Sequence, residues 1–138
     1  MIDFFLDSLG VDPAGVERKD KANRWLMRQF RPWPVSRHGE PYVLFCPVSS
    51  AELRCIPQEM HAPMIEALWQ RYRLPVVGFS PVVHPCFRDV SAHSRRLPDF
   101  LQLIGDAAHV VSTDSAAIHL AAGLDKETTA YFVSIRPE

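Results

Sequence analysis

The chain has 138 residues, enough for one domain with its own core. Apolar residues make up 47% and charged residues 22%, which excludes a disordered chain. The formal net charge of −1 excludes any general attraction to nucleic acid or anionic membranes, so an anion site here has to be local.

Residues 2–9, IDFFLDSL, carry apolar spacing that predicts a short helix closed by Gly10. The acids of this stretch do not suit an export signal, which needs basic residues. VDPAGVERKD is a polar turn, and KANRWLMRQF (21–30) reads as a second helix. RPWPVSRHGEP (31–41), with three prolines and a glycine, is a linker. Residues 1–41 are thus a helical lead-in and Pro-rich linker to a domain over 42–138.

YVLFCPV is a continuous apolar run of strand length. Continuous rather than alternating apolarity suits a strand covered on both faces, as in a parallel sheet. SSAELRCIPQEM is a loop. Met60, Met64, Leu68 and Tyr72 then fall four apart, with Ile65 beside them, and predict a helix from about 62 with Pro63 in its first turn. LPVVGF is a second buried strand. SPVVHPCFRDVSAHS has no clear period, though FRDVS suits a short strand. LPDFLQLIGDA is an amphipathic helix with Leu97, Phe100, Leu101 and Ile104 inward. HVVST is a strand, DSAAIHLAAGL a helix and TTAYFVS a last strand. The alternation predicts an α/β, Rossmann-like three-layer domain with right-handed crossovers. Its five-stranded parallel sheet is expected in the order 3-2-1-4-5, with strands near 42–47, 75–79, 87–91, 109–113 and 128–133. No apolar run reaches the ~20 residues of a membrane span.

VVSTDSAAIHLAAGL (110–124) carries the main functional signal. In an open parallel sheet, ligands bind beyond the carboxyl ends of the strands. Asp114 and Ser115 sit at such an end, and both residue types cap helix N-termini. The amides of Ala116 and Ala117 then face outward, where the helix dipole favours a phosphate. The small residues Ala116, Ala117, Ala121 and Ala122 admit close approach and tight packing. Ordinary capping with close packing is the competing reading. Ser49, Ser50 and Arg54 follow the first strand, which neighbours the fourth in the expected order. Together they form a candidate diphosphate clamp. No GxGxxG or GxxxxGK[ST] motif is present, which disfavours a dinucleotide dehydrogenase or a P-loop NTPase.

Cys46, Cys55 and Cys86 are odd in number and scattered, which suits a reducing cytosol rather than a disulfide framework. With His84 they match no common zinc spacing, and no metal is expected. The plain reading of His119 is a buried, hydrogen-bonded helix residue. Arg88, Arg95 and Arg96 read as a solvated basic cluster. Trp25, Trp33 and Trp69 read as core or interface residues.

The segment STDSAAIHLAAGL…TAYFVSIRP resembles the donor-site signature of glycosyltransferase family 9, the heptosyltransferase-like enzymes. YVLFCPVSSAELRCIPQE resembles that family's strand with a Ser…Lys-x-Trp-Pro segment, and LPDFLQLIGDAAHVVSTD its helix and strand before the Asp. The likeness runs from about 42 to 137, and more loosely back to 2. It implies one half of a GT-B architecture, the half that holds a nucleotide-sugar donor of the ADP-heptose kind without cofactor or metal. By position, Ser49, Ser50, Arg54, Asp114, Ser115, Ala116, Ala117 and His119 would face the donor diphosphate. Ala116 stands where the family often has Gly, Arg54 where it has Lys, and Ile56 where it has Trp. Asp89 is the nearest candidate for the family's ribose-binding acid.

The likeness implies glycosyl transfer with inversion, in cell-envelope glycan or lipopolysaccharide synthesis, in the cytoplasm or peripheral to the inner membrane. The acceptor and the catalytic base belong to the family's N-terminal half. The chain also stops at SIRPE, before the family's C-terminal helix. The isolated chain is therefore expected to be inactive and to expose a half-interface through which it can self-associate. No nucleic-acid partner is expected. The alternative is a non-catalytic domain that binds nucleotides or a protein partner.

Overall fold

Val43–Cys46 is buried at every position because it lies at the centre of a sheet covered on both faces. The structure, a computed structural model, describes residues 2–17, 20 and 39–132. Its elements are α1 (Ile2–Ser8), β1 (Val43–Cys46), α2 (His61–Tyr72), β2 (Val76–Gly78), β3 (Phe87–Asp89), α3 (Leu97–Asp106), β4 (His109–Thr113), α4 (Ala116–Gly123) and β5 (Thr128–Tyr131). The helix expected over 21–30 and the linker up to 38 lie outside the described residues. Gly10 follows α1 at φ +72°, the left-handed geometry that closes a helix cheaply only with glycine.

All four strand pairs are parallel, and the order is β3-β2-β1-β4-β5. The expected architecture is therefore the observed one. Leu44, Cys46, Val77 and Val110 turn to one face, against Leu103 and Ile104 of α3 and Ala117 and Ala121 of α4. Val43, Phe45, Val76 and Val111 turn to the other, against Ile65 and Leu68 of α2. That two-sided burial is why the first strand carries no polar alternation.

Three details depart from the sequence reading. Residues 79–86 join β2 to β3 without a helix, where a parallel crossover usually carries one. The aperiodic SPVVHPC is that link. Leu97 is 62% exposed although it shares a helical face with Leu101 and Ile104, because it stands at the very end of α3. Of the four small residues on α4, only Ala117 and Ala121 pack inward, while Ala116 and Ala122 face outward. Pro63 is accommodated in the first turn of α2 as expected.

Gly78 stands where β2 crowds β1. A Cβ there would lie 2.0 Å from the Phe45 carbonyl oxygen, a backbone atom that the ladder holds in place. Gly78→Ala should therefore cost about 2 kcal/mol or more, read from the denaturant midpoint. A loss below about 0.5 kcal/mol, the scale of a neutral surface change, would mean that β1 and β2 part freely at this point.

Candidate functional site

A cavity of about 510 Å³ opens at the carboxyl ends of β1 and β4. Its volume suits a small-molecule ligand. Every residue expected at the diphosphate lines it: Ser49, Ser50, Arg54, Asp114, Ser115, Ala116, Ala117 and His119. Cys46 and Val48 complete the β1 side, and Phe79, Ser94 and Phe100 form the far wall.

The β1 side is a loop with little regular structure, fixed by cross-links. Ile56 N–H donates to Pro47 O at 2.9 Å and closes the loop at its base. Ser49 N–H donates to the Cys55 thiol at 3.2 Å. Ser49 Oγ donates to Asp114 O at 2.9 Å, and Thr113 Oγ1 donates to Arg54 O. The loop after β1 is thus tied to the end of β4 at two points.

Arg54 bridges the two sides. Its Nη1 lies 3.4 Å from Asp114 Oδ2, and its Nη2 donates to Ser50 Oγ at 3.2 Å. The expected capping role of Asp114 is therefore corrected. The N-cap of α4 is Ser115, whose hydroxyl accepts from Ala117 N–H at 3.3 Å, while the Asp114 carboxylate turns to Arg54.

Following each hydroxyl proton shows what is left for a ligand. Ser112 Oγ donates to Thr113 O at 2.8 Å and lies 3.0 Å from Ser115 Oγ. A serine has one proton to give, so Ser115 donates to Ser112. Ser115 is then occupied as both donor and acceptor, and Ser49 has spent its proton on Asp114 O. Ser50 only accepts among the described contacts and keeps its proton. The Ala117 amide is taken by the cap, whereas that of Ala116 has no protein acceptor among the described residues. The donors left to an anion are Ser50, Arg54 and the Ala116 amide, at a helix end whose dipole favours negative charge.

The structure moves the other candidates. His119 is exposed at the rim, one turn along α4, and is not the buried residue of the plain reading. Asp89 lies outside the cavity. It accepts from Ser91 N–H at 2.9 Å and Ser91 Oγ at 2.6 Å, and these bonds hold its carboxyl below the usual range. Arg96 pairs with Asp99 on the surface at 3.2 Å. Trp69 packs against the α2-side core under the Arg73 guanidinium. Trp25 and Trp33 lie outside the described residues. All three cysteines are free thiols.

Sequence reasoning missed Phe79, Ser94 and Phe100. Phe79 and Phe100 meet edge to face at 5.6 Å and make an apolar wall opposite the polar loop. Phe79 directly follows β2, so its place beyond a strand end was the available signal.

A sequence model of glycosyltransferase family 9 (heptosyltransferase) matches residues 7–138. No curated protein matches the chain. Among solved structures, E. coli heptosyltransferase WaaC with ADP-2-deoxy-2-fluoro heptose superposes with a TM-score of 0.60 at 17% identity, over 99% of this chain and 44% of that one. The same enzyme with ADP gives 0.60 at 18% identity, over 98% and 44%. E. coli ADP-heptose lps heptosyltransferase II gives 0.58 at 19% identity, over 85% and 38%. At such identities the likeness is one of fold, and the chain spans less than half the length of these enzymes. The family match covers nearly the whole chain, its sheet order is the one that the family's fold requires, and the chain belongs to glycosyltransferase family 9.

Proposed function

We propose that this chain is the donor-binding half of a heptosyltransferase-like enzyme. In this reading the cavity between Arg54 and the start of α4 holds the diphosphate of a nucleotide-sugar of the ADP-heptose kind. The observation that carries the reading is the convergence of Arg54, Ser50 and the Ala116 amide at one helix end, each with hydrogen-bonding capacity left over. Two solved structures of one relative, E. coli heptosyltransferase WaaC, are with ADP-2-deoxy-2-fluoro heptose and with ADP, which supports the choice of an adenosine diphosphate. Asp114 sets the direction of Arg54, and the cap fixes the helix end.

The reaction of the whole enzyme is attack by an acceptor hydroxyl on the anomeric carbon, with the nucleoside diphosphate leaving. Negative charge grows on the bridging oxygen as that bond breaks. A guanidinium, a hydroxyl and an amide already in place stabilise it without reorganisation. A second half brings the acceptor and the base. The work belongs to the cytoplasm, beside the inner membrane where envelope acceptors are built. Among the described residues no helix is long and apolar enough to cross a membrane.

An amide NMR titration with ADP, UDP and GDP, with sulfate as control, tests the site. Shifts should cluster at 49–54 and 114–118, with Kd between ~1 mM and ~10 μM, because in this reading the cavity is one side of a two-sided cleft. Arg54→Ala should weaken binding about tenfold or more, and Ser50→Ala about threefold, the sizes of a charged and a neutral hydrogen bond. Shifts confined to other strand ends would leave Ser115 an ordinary cap and remove the reading.

The isolated chain should transfer no sugar. Incubation with nucleotide-heptoses and candidate lipid or glycan acceptors should give no product above blank, since in this reading the acceptor and the base come with the family's N-terminal half. Turnover by the purified chain would overturn that expectation. Nucleotide binding without turnover is also what the non-catalytic alternative predicts, so joining the chain to a family N-terminal half separates the two.

Cys46 has no chemical role in this scheme, although it lines the cavity. Burial pushes its thiol up to about 12, so the nucleophilic thiolate is scarce near neutrality. At about pH 8, iodoacetamide should spare Cys46 in the folded chain and modify it after unfolding. Prompt modification of Cys46 in the folded chain, read by the mass of its peptide, would show that this thiol is open and ionised.

A further inference from the structure

His61 is 3% exposed and is the first residue of α2, beyond the cavity wall. Its Nε2 lies 2.9 Å from Ile56 O and its Nδ1 lies 2.9 Å from Ser80 Oγ. A carbonyl only accepts, so Nε2 carries a proton, and in the neutral ring Nδ1 is then the bare nitrogen. Ser80, 4% exposed, donates its hydroxyl proton to Nδ1 of that neutral ring. The ring also stands edge-on to Phe45 of β1, at 5.7 Å and 88°. One side chain thus joins the residue two places after Arg54, the segment after β2 and the central strand.

We infer that His61 is a positioning residue for Arg54. It holds the Ile56 end of the loop so that the guanidinium lies between Asp114 and Ser50. Any apolar residue could fill the space against Phe45. A ring with a nitrogen on each side reaches both Ile56 O and Ser80 Oγ, two buried groups with no other partner among the described residues. The loop has few regular hydrogen bonds of its own, and its other cross-links reach β4 rather than α2. His61 is therefore the hydrogen-bonded tie that sets the loop against the helix that follows it.

The consequence for ligand affinity rests on the nucleotide reading above, but the placement of Arg54 does not. Two measurements keep them apart. In the absence of nucleotide, His61→Phe keeps the ring and its contact with Phe45 but removes both hydrogen bonds. The Arg54 Nε–Hε resonance and the amides of Ser49, Ser50 and Asp114 should shift, and those of β5 should not. In the presence of ADP, His61→Phe should weaken binding by about the same factor as Arg54→Ala, and the double variant should be no weaker than either alone. His61→Gln, which can still donate to Ile56 O, should recover much of the loss.

A role confined to stability would lower the denaturation midpoint and leave these signals and the Kd unchanged. Unmoved Arg54 and Asp114 resonances in folded His61→Phe, or fully additive losses, would overturn the inference. If His61→Phe does not fold, Ser80→Ala removes only the hydroxyl that holds Nδ1 and is read in the same way. Failure of wild-type ADP binding would remove the nucleotide reading, and the resonances in the free chain would still decide the role of His61.

Discussion

Cys46 lies opposite Ser112 in the central strand pair, and just beyond each residue the chain turns out of the sheet at the same place. The parallel pairing of β1 with β4 leaves little choice about what meets there. The loop after β1 and the start of α4 must share one crevice, since their strands end side by side and the crossovers leave in opposite directions. Ser49 and Arg54 are then within reach of Asp114, and Thr113 is within reach of the Arg54 carbonyl. The hydrogen bonds across the crevice refine an arrangement that the strand pairing already imposes.

Within that crevice, magnitude decides how a cation that is already paired can serve an anion. The Arg54 and Asp114 side chains are 33% and 22% exposed and 3.4 Å apart. An ion pair this open to water is worth about 0–1 kcal/mol. A hydrogen bond from a guanidinium to a phosphate is worth roughly 1.5–3 kcal/mol. The existing pair is thus a weak guide rather than a competitor. It restricts Arg54 to a few rotamers at little energetic cost, and an arriving anion can take the remaining N–H groups without breaking it. An arginine at a position where the resemblance leads one to expect lysine fits this picture. A planar fork can address Asp114, Ser50 and a phosphate at once, and an ammonium on a flexible stem cannot do so in fixed geometry.

The sheet was legible because its signals are local and redundant. VLFC is an uninterrupted apolar run and HVVST centres on Val110 and Val111, and both-sided burial demands such apolar stretches in a parallel sheet. The strand order followed from the alternation of elements, and with it came the convergence of Ser50, Arg54 and Ser115. Less legible was the choice among partners once the residues had met. Asp114 and Ser115 are both good caps, and only the three-dimensional position of Arg54, sixty residues away in sequence, decides that the carboxylate leaves the helix end to the serine. Ser94 ends a stretch with no period, so nothing in the sequence assigned it to a wall, and for Phe79 the one signal was its place at a strand end. Leu97 fitted the apolar spacing of α3 but stands at its first position, where the helix has not yet reached the sheet.

The short β2–β3 link shows the same division between what pattern dictates and what contact decides. A crossover helix would have covered this part of the sheet with an apolar stripe. Residues 79–86 have no such stripe, and the link is held to α2 by two polar pairs and by Val82 at the core. The His84–Glu66 pair, 3.3 Å apart with the carboxylate 42% exposed, is screened by water and holds weakly. Ser80 and His61 are almost wholly buried, so parting them would strand a hydroxyl and an imidazole nitrogen away from solvent, at about 1–3 kcal/mol each. Burial, rather than charge, makes the inner pair the firm one. Because His61 of that pair also bears on Ile56, the helix-free link at one strand end is tied to the setting of a cation at the next.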